Sequence, residues 1–338
     1  MTNGKDIIFE KQITFMNKNS KMILEQFRQV ISNGVTNPEL LSILDEIKNY
    51  WTDKLRSTLI AFSFEAVGGQ FGETDTLSLI STLLGAGIGV HDDIIDKCYR
   101  KHFRRTILGT HDIDSALLAG DLLIVKSLTM VRKLIMTDIE PKKISDILET
   151  LELCLIKVCE SQFEEISFRR NLNISLNDYL KFLSNSVAEM EACTKIGAIL
   201  GDGSDKEVQL LGDFGKNFGV MQRLLSDIAD SRNIEGNLDR RLDNESIPLS
   251  ILYSAKSSKE SFNKICSILN KTHITQKDVM VIPEICFNAN AFSYLYGLAE
   301  KISKEINKNL MILSYSLARE SLSLLVNTSL ASIAEISL

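Results

Sequence analysis

Residues 91–96 read His-Asp-Asp-Ile-Ile-Asp. On a helix, Asp92 and Asp96 are four apart and project from one face, and Asp93 lies about a quarter turn away. Carboxylates this close repel one another unless water or a cation neutralises them. Mg²⁺ is a hard cation that binds through one or two carboxylates and fills the rest of its shell with water and substrate phosphates. The stretch before the acids, Leu83 to Val90, is apolar and includes Gly85, Gly87 and Gly89. The acids therefore close a buried helix. The stretch after them is basic: Lys97, Arg100, Lys101, His102, Arg104 and Arg105. Acid for a metal followed by base for an anion is what a diphosphate–Mg²⁺ site requires. The same charges would also suit a loop that merely pairs with a solvated helix end.

A second acidic stretch, Ser226-Asp227-Ile228-Ala229-Asp230, lies farther along. Arg223, Asp227 and Asp230 share a helix face at spacings of four and three, with Ser226 beside them. Alone, Asp227 and Asp230 read as surface residues. Together with the first stretch they read as the opposite wall of one cavity, with metal ions bridging two acidic patches around a diphosphate.

The elements that must carry these groups are helices. The apolar period is close to 3.6 almost throughout. It predicts helices near 6–33, 38–50, 53–68, 75–97, 112–136, 141–170, 175–202, 205–232, 246–270, 275–305 and 306–335. Asn37-Pro38-Glu39 supplies an N-cap, a proline at N1 and an acid in the first turn, and Ser175 with Asp178 resembles a capping box. No strand alternation of useful length is visible. With only 4 Pro and 18 Gly in 338 residues, a turn-rich β fold is excluded. No linker or repeat divides the chain, so one all-α domain over 1–338 is expected. Two segments break the pattern, 97–111 and 231–246, each directly after an acidic stretch.

A net charge of −6 argues against a nucleic-acid partner. The 6 Cys form no C-x-x-C pair, which suits reduced thiols in a cytoplasm. No signal peptide is evident, and no run approaches the roughly 18 apolar residues of a membrane span.

From Leu55 to Tyr253 the chain resembles the trans-polyprenyl diphosphate synthase family, all-α enzymes of the isoprenoid synthase superfamily. "LRSTLIAFSFEAVGG" (55–69), "HDDIIDKCYRKHFRRT" (91–106) and "ALLAGDLL" (116–123) resemble successive family motifs. So do Ser161-Gln162 with Glu165, "ACTKIGAIL" (192–200) and "SIPLSILYSA" (246–255). The resemblance implies a large helical bundle around a central cavity and Mg²⁺-dependent ionisation of an allylic prenyl diphosphate. It implies Asp92, Asp93 and Asp96 as catalytic residues and Asp92, Asp96, Ser226, Asp227 and Asp230 as metal ligands, for about three Mg²⁺ ions once substrate phosphates complete their shells. It implies Arg56, Gln162, Lys101, Arg104, Arg105 and Arg223 as diphosphate contacts, and a homodimer.

The chain also departs from the family pattern. The family's G-G-K-x-x-R reads Trp51-Thr52-Asp53-Lys54-Leu55-Arg56, so Asp53 stands in the Lys position and Lys54 is the nearest substitute. The His that helps hold isopentenyl diphosphate falls at Gly85, the Lys of the K-T pair at Ser186 and the Lys of G-K-x-T at Asn244. R-R-G becomes Lys101-His102-Phe103. The second motif's first Asp becomes Ser226, and the Gln three residues earlier becomes Arg223. The expectation is a retained allylic site, a degenerate isopentenyl diphosphate site, and a tunnel kept open by Gly85 and Gly89 or, equally, close helix packing at those glycines. Glu189 and Glu191 are expected at a solvent-exposed surface or at the subunit interface. Three readings stay open: a prenyltransferase, a terpene synthase or cyclase acting on farnesyl or geranylgeranyl diphosphate alone, and a non-catalytic partner subunit.

Overall fold

A computed structural model describes residues 4–70, 74–101 and 104–337. His102 and Phe103, at the family's R-R-G tail, lie outside the described residues. Helices make up 77% of the structure, with almost no sheet. In order they are α1 (Gly4–Val30), α2 (Pro38–Tyr50), α3 (Leu55–Ala66) and α4 (Asp75–Ile95). The strands β1 (Arg100–Lys101) and β2 (Arg104–Arg105) follow, then α5 (Ile107–Thr110), α6 (Ile113–Met130), α7 (Arg132–Ile135) and α8 (Pro141–Phe168). Next come α9 (Leu176–Ser186), α10 (Ala188–Leu200), α11 (Asp205–Ser231), α12 (Leu238–Asn244) and α13 (Leu249–Ser257). The chain ends with α14 (Lys259–Leu269), α15 (Gln276–Val279), α16 (Ile282–Asn288), α17 (Ala291–Leu310) and α18 (Leu317–Ser337).

Two compact units, interleaved along the sequence, contain these elements. The first comprises residues 1–153, 189–215 and 310–324, and the second 154–188, 216–309 and 325–338.

In the first unit, α4 is the central helix. Leu79, Leu83, Ala86 and Val90 recur at helical spacing and pack with Phe27, Ile43, Leu44, Ile47, Ala116, Ala119 and Leu123. Each fully buried Leu or Ile contributes about 1.5–3 kcal/mol. Two glycines let α4 and α6 meet closely: a Cβ at Gly87 would lie 2.9 Å from the Gly120 carbonyl oxygen, and one at Gly120 would strike the His91 ring at 2.4 Å. The Ser127 hydroxyl donates across the same contact to the Ile80 carbonyl at 3.0 Å. Among the described residues, α4 is the one helix long and apolar enough to cross a membrane, yet 67% of its apolar window is buried inside the protein. Its apolarity is accounted for by the core.

The second unit is built on α9, the later turns of α11 and the helices from α12 to α17. Phe168, Tyr179 and Phe182 form its aromatic centre, with Phe182 edge-on to the other two at 5.4 and 5.6 Å, a favoured geometry for ring pairs.

Both predicted caps are present. The Asn37 side chain accepts from Leu40 N at 2.9 Å, and the Ser175 hydroxyl accepts from Asp178 N at 3.0 Å. Several expected helices are shorter than the periodicity suggests. The helix expected over 175–202 breaks at Val187, where the chain passes so near α11 that a Cβ at Gly219 would lie 2.6 Å from the Val187 side chain. That over 246–270 divides at Ser258, which caps α14 by accepting from Ser261 N. That over 275–305 is three helices, started by a capping box at Thr275, by Pro283 in the first turn of α16, and by Asn290 in the left-handed region at φ 56°. α17 runs on to Leu310, and a new cap at Ser316 begins α18. The basic segment after Asp96, expected as irregular chain, forms a small antiparallel ribbon with Lys101 opposite Arg104.

Candidate active site

The first acidic cluster closes α4. Asp96 caps the helix, its N–H donating to the Asp92 carbonyl at 2.9 Å. Asp92 is partly exposed, whereas Asp93 and Asp96 are buried. The chain then turns through Lys97, left-handed at φ 49°, and the ribbon folds back toward the acids. The Lys101 ammonium lies 3.6 Å from an Asp93 carboxylate oxygen. The Arg104 guanidinium stacks 3.6 Å above the centre of the Tyr50 ring, a cation–π contact. Burial pushes the Tyr50 phenol up to about 12. Arg105 donates to the Gly109 carbonyl at 3.4 Å. Of the sequence-predicted basic residues, Lys101 thus reaches the acids at the end of α4, whereas Arg104 lies on Tyr50 and Arg105 turns to the Gly109 carbonyl.

Arg56 belongs to a different cluster of the same unit. Its guanidinium donates to both carboxylate oxygens of Glu189, at 3.1 and 2.7 Å, and lies 3.2 Å from an oxygen of Asp53. Burial opposes its charge, but Glu189 and then Asp53 outweigh burial and hold Arg56 protonated more firmly than a free guanidinium. It lies over Gly85: a Cβ there would meet Arg56 Nε at 2.6 Å. The Cys193 thiol beside it is pushed up to about 12 by burial. One turn along α4, a Cβ at Gly89 would meet the Trp51 ring at 3.2 Å. The space beside both glycines is therefore filled by Arg56 and Trp51; of the two expectations held equally for these positions, open tunnel and close packing, these neighbours favour close packing. Glu189 and Glu191, expected at a surface, are instead largely buried ion-pair partners, Glu191 bonding Lys195 at 2.6 Å.

The second acidic cluster lies in the other unit, on α11. Asp227 is fully buried. One carboxylate oxygen accepts from Arg241 at 2.7 Å, the other from Leu249 N at 2.9 Å and from the Tyr179 hydroxyl at 3.4 Å. Arg241 also pairs with Asp230 and lies 3.6 Å from Glu245. Burial opposes the Arg241 charge, but Asp227 and Glu245 outweigh it and hold it protonated. Ser226 is exposed and donates to Asp230 at 3.3 Å. Arg223 is partly buried, and burial again loses, to Glu165, Asp227, Tyr179 and Glu245, so its charge is firmly held. Glu165 is buried and accepts from the Ser246 hydroxyl at 2.6 Å. Gln162, three residues earlier on α8, is partly buried. Arg223, Asp227 and Asp230 recur along one helix, but Asp227 is turned into the protein, Asp230 is largely covered and paired with the buried Arg241, and Ser226 is exposed.

Among the described residues, no three His, Cys, Asp or Glu side chains converge as a ready-made cage for a metal ion. The donor set nevertheless fits Mg²⁺, which takes a few carboxylate oxygens and completes its octahedron with phosphate and water.

An all-α chain with two Asp-rich helix segments and a basic tail after the first narrows the possibilities, and sequence comparison decides among them. Residues 37–285 match the polyprenyl synthetase family. The chain belongs to that family. It is an enzyme acting on allylic diphosphates. A short chain isoprenyl diphosphate synthase of Methanothermobacter thermautotrophicus is 26% identical, over 92% of this chain and 96% of its own. A geranylgeranyl diphosphate synthase of Sulfolobus acidocaldarius is 24% identical over 74% of this chain and 77% of its own. In fold, the chain is similar to a geranylgeranyl pyrophosphate synthetase from Pyrococcus horikoshii, at a TM-score of 0.83 and 22% identity, over 95% of this chain and 98% of that one.

Sequence reasoning missed Arg241, Tyr179, Glu245, Tyr50 and the Glu189 pairing. The Arg240-Arg241 doublet inside the Asp- and Glu-rich break at 231–246 was the available signal for one of them.

Proposed function

We propose that this protein ionises an allylic prenyl diphosphate in isoprenoid biosynthesis, with Asp92 and Asp96 presenting carboxylate oxygens to Mg²⁺ and Lys101, Arg104 and Arg105 facing the diphosphate. The observation that carries the reading is the folding of the basic ribbon back onto the end of α4, which brings the Lys101 ammonium to 3.6 Å from an Asp93 carboxylate oxygen. Bound Mg²⁺ would supply Lewis-acid stabilisation of the departing diphosphate. The chain's residues do the rest. Tyr50 holds the Arg104 guanidinium in place and Asp93 holds Lys101; in the second unit, taken by itself, Ser226 and Asp230 are assigned as oxygen donors to a metal and Gln162 and Arg223 to an anion. Asp227 anchors Arg241 and the start of α13. The C1–O bond breaks heterolytically, its electron pair leaves with the diphosphate, and an allylic cation remains.

The fate of that cation separates two readings. In chain elongation, the double bond of isopentenyl diphosphate attacks it and a proton is lost. A terpene synthase would instead close the cation on its own chain, or give it water, with no second diphosphate. The Arg56 network favours the second: the one basic residue kept from the family's K-x-x-R element is bound to two carboxylates, and Gly85 supplies no imidazole. Incubating the purified protein with farnesyl or geranylgeranyl diphosphate and Mg²⁺, with and without isopentenyl diphosphate, decides. A longer diphosphate means elongation, and a hydrocarbon or alcohol formed without isopentenyl diphosphate means a terpene synthase. Absence of pyrophosphate release under every condition would sink both and leave the non-catalytic subunit.

We further infer a homodimer in the cytoplasm. Six cysteines carry free thiols, and Leu117, Leu118, Val125, Leu128, Ile135 and Met136 line α6 and α7 as exposed apolar residues. A row of this kind marks an association surface. Leu118→Asp is expected to halve the mass seen by light scattering.

A further inference from the structure

Trp51 stands where the family pattern has a glycine, and Gly89 lies against it. The ring atoms Cζ3 and Cη2 are 3.3 Å or less from the place a Cβ at Gly89 would occupy. Any larger residue at 89 would push the indole aside. The Trp51 backbone is held by its N–H donating to the Ile47 carbonyl at 2.9 Å, and the side chain packs on the α2–α4–α6 core. Gly89 precedes Asp92 by three residues on the same face of α4, a rise of about 4.5 Å. The indole therefore lies one turn from the carboxylate proposed to grip the leaving diphosphate.

Two further features point to the ring face as the working part. The indole Nε1–H is shielded from water and has no hydrogen-bond partner among the described residues. A buried Trp N–H usually finds one, so hydrogen bonding does not account for the ring's position. The neighbouring residue Tyr50 already holds a cation, Arg104, over its ring. Beyond Trp51, Arg56 is bound by Glu189 and Asp53, so it is not a ready cation for a second diphosphate.

We propose that Trp51 is the specificity-determining residue of this site: its indole occupies the acceptor side of the allylic carbon, faces the cation, and excludes a second diphosphate. This rests on the reading above that an allylic diphosphate is ionised at Asp92. A desolvated cation–π contact on Trp is the strongest of its kind. An aliphatic side chain of similar reach would fill the space without the π face.

Trp51 is the only tryptophan in the chain, so its emission reports on this one position. Titrating the Mg²⁺-loaded full-length protein with farnesyl thiolodiphosphate, whose C–S bond does not ionise, should change the emission. Inorganic pyrophosphate and isopentenyl diphosphate should leave it nearly unchanged. In parallel, Trp51→Leu should lower kcat with farnesyl diphosphate about thirty-fold, the equivalent of ~2 kcal/mol at 1.36 kcal/mol per tenfold. KM and calorimetric pyrophosphate affinity should hold, and Trp51→Phe should recover most of the rate. Trp51→Gly should tighten isopentenyl diphosphate binding. If calorimetry shows the thiolodiphosphate bound while emission stays constant, the proposal is overturned. Equal rates for the Leu and Phe variants also overturn it, as does a loss in Trp51→Leu shared equally by pyrophosphate affinity, which is what a merely structural role gives. If emission responds but no allylic diphosphate is ever turned over, the catalytic reading fails while the placement of Trp51 beside the prenyl chain stands. If nothing binds by calorimetry, both fall together.

Discussion

The two acidic clusters are built from the same residue types and are used differently. At the end of α4, the Asp93 carboxylate meets the Lys101 ammonium of an exposed ribbon, and Asp92 stays partly open. On α11, Asp227 is fully buried, and its neutralising cation, Arg241, is itself 4% exposed. A carboxylate beside a solvent-exposed cation can exchange that cation for a metal or for water. One whose oxygens are both taken by a buried guanidinium and a backbone N–H cannot do so without unfolding its surroundings. Acid–base composition alone does not separate a ligand site from a structural ion pair; burial of the partner does.

The comparison breaks most visibly at its two centres. Asp92→Ala is expected to lower turnover by several orders of magnitude, since it removes a charge from the leaving-group site, while circular dichroism and the melting temperature stay near wild type. Unchanged turnover would remove Asp92 from the metal site. Asp227→Ala should do the reverse of a clean catalytic lesion. It leaves Arg241 buried without its first partner, a loss of about 3–5 kcal/mol, read as a lower denaturation midpoint at unaltered m-value. Asp227→Ala stable to within ~0.5 kcal/mol of wild type would mean that Arg241 is not held as described.

What could be read in advance follows from distance along the chain. The Asp92–Asp96 pair, the caps at Asn37 and Ser175, and the placing of Arg223, Ser226, Asp227 and Asp230 on one helix all depend on neighbours within four residues. Helical geometry converts such spacings into positions directly. The inward turn of Asp227 depends on Arg241 and Leu249, 14 and 22 residues on. The capture of Arg56 depends on Glu189, 133 residues away. Gly85 and Gly89 were legible as missing volume, but the side chains that fill it come from α3 and from the end of α2, and no periodicity points to them. Glu189 in particular offered no signal, because a glutamate in the first turn of a helix is ordinary for its dipole.

A smaller effect sharpens the contrast inside the first unit. If Arg56 is withheld from substrate by its carboxylates, Glu189→Gln with Asp53→Asn should release it. The double variant should bind isopentenyl diphosphate roughly tenfold or more tightly than wild type, since a charge-assisted hydrogen bond contributes about 1.5–3 kcal/mol. Isothermal titration of both proteins checks this. Micromolar binding by the wild type, about −8 kcal/mol, would show that Arg56 is already available and return the protein to plain chain elongation.

The smallest expected effect is a pH dependence in the second unit, at Glu245. Burial favours its neutral form, but Arg241, Arg240 and Arg223 outweigh burial and hold the carboxyl below its ordinary value of 4.5. Arg240 bonds it at 2.7 Å. The folded protein therefore takes up this proton less readily than the unfolded chain. As pH falls through the ordinary value, the unfolded state binds the proton first, and stability is lost from there down through the folded value. The ion-pair contribution is complete above that window and absent below it. Glu245→Gln should be less stable than wild type near neutrality, by on the order of 1 kcal/mol, and should converge with it as pH falls below the ordinary carboxyl value. Melting temperatures of both proteins, measured at intervals from roughly pH 7 to 3, give the test. Two parallel curves across the whole range would mean that Glu245 carries the same proton affinity folded and unfolded, and that the guanidinium cluster on α12 does not act on it.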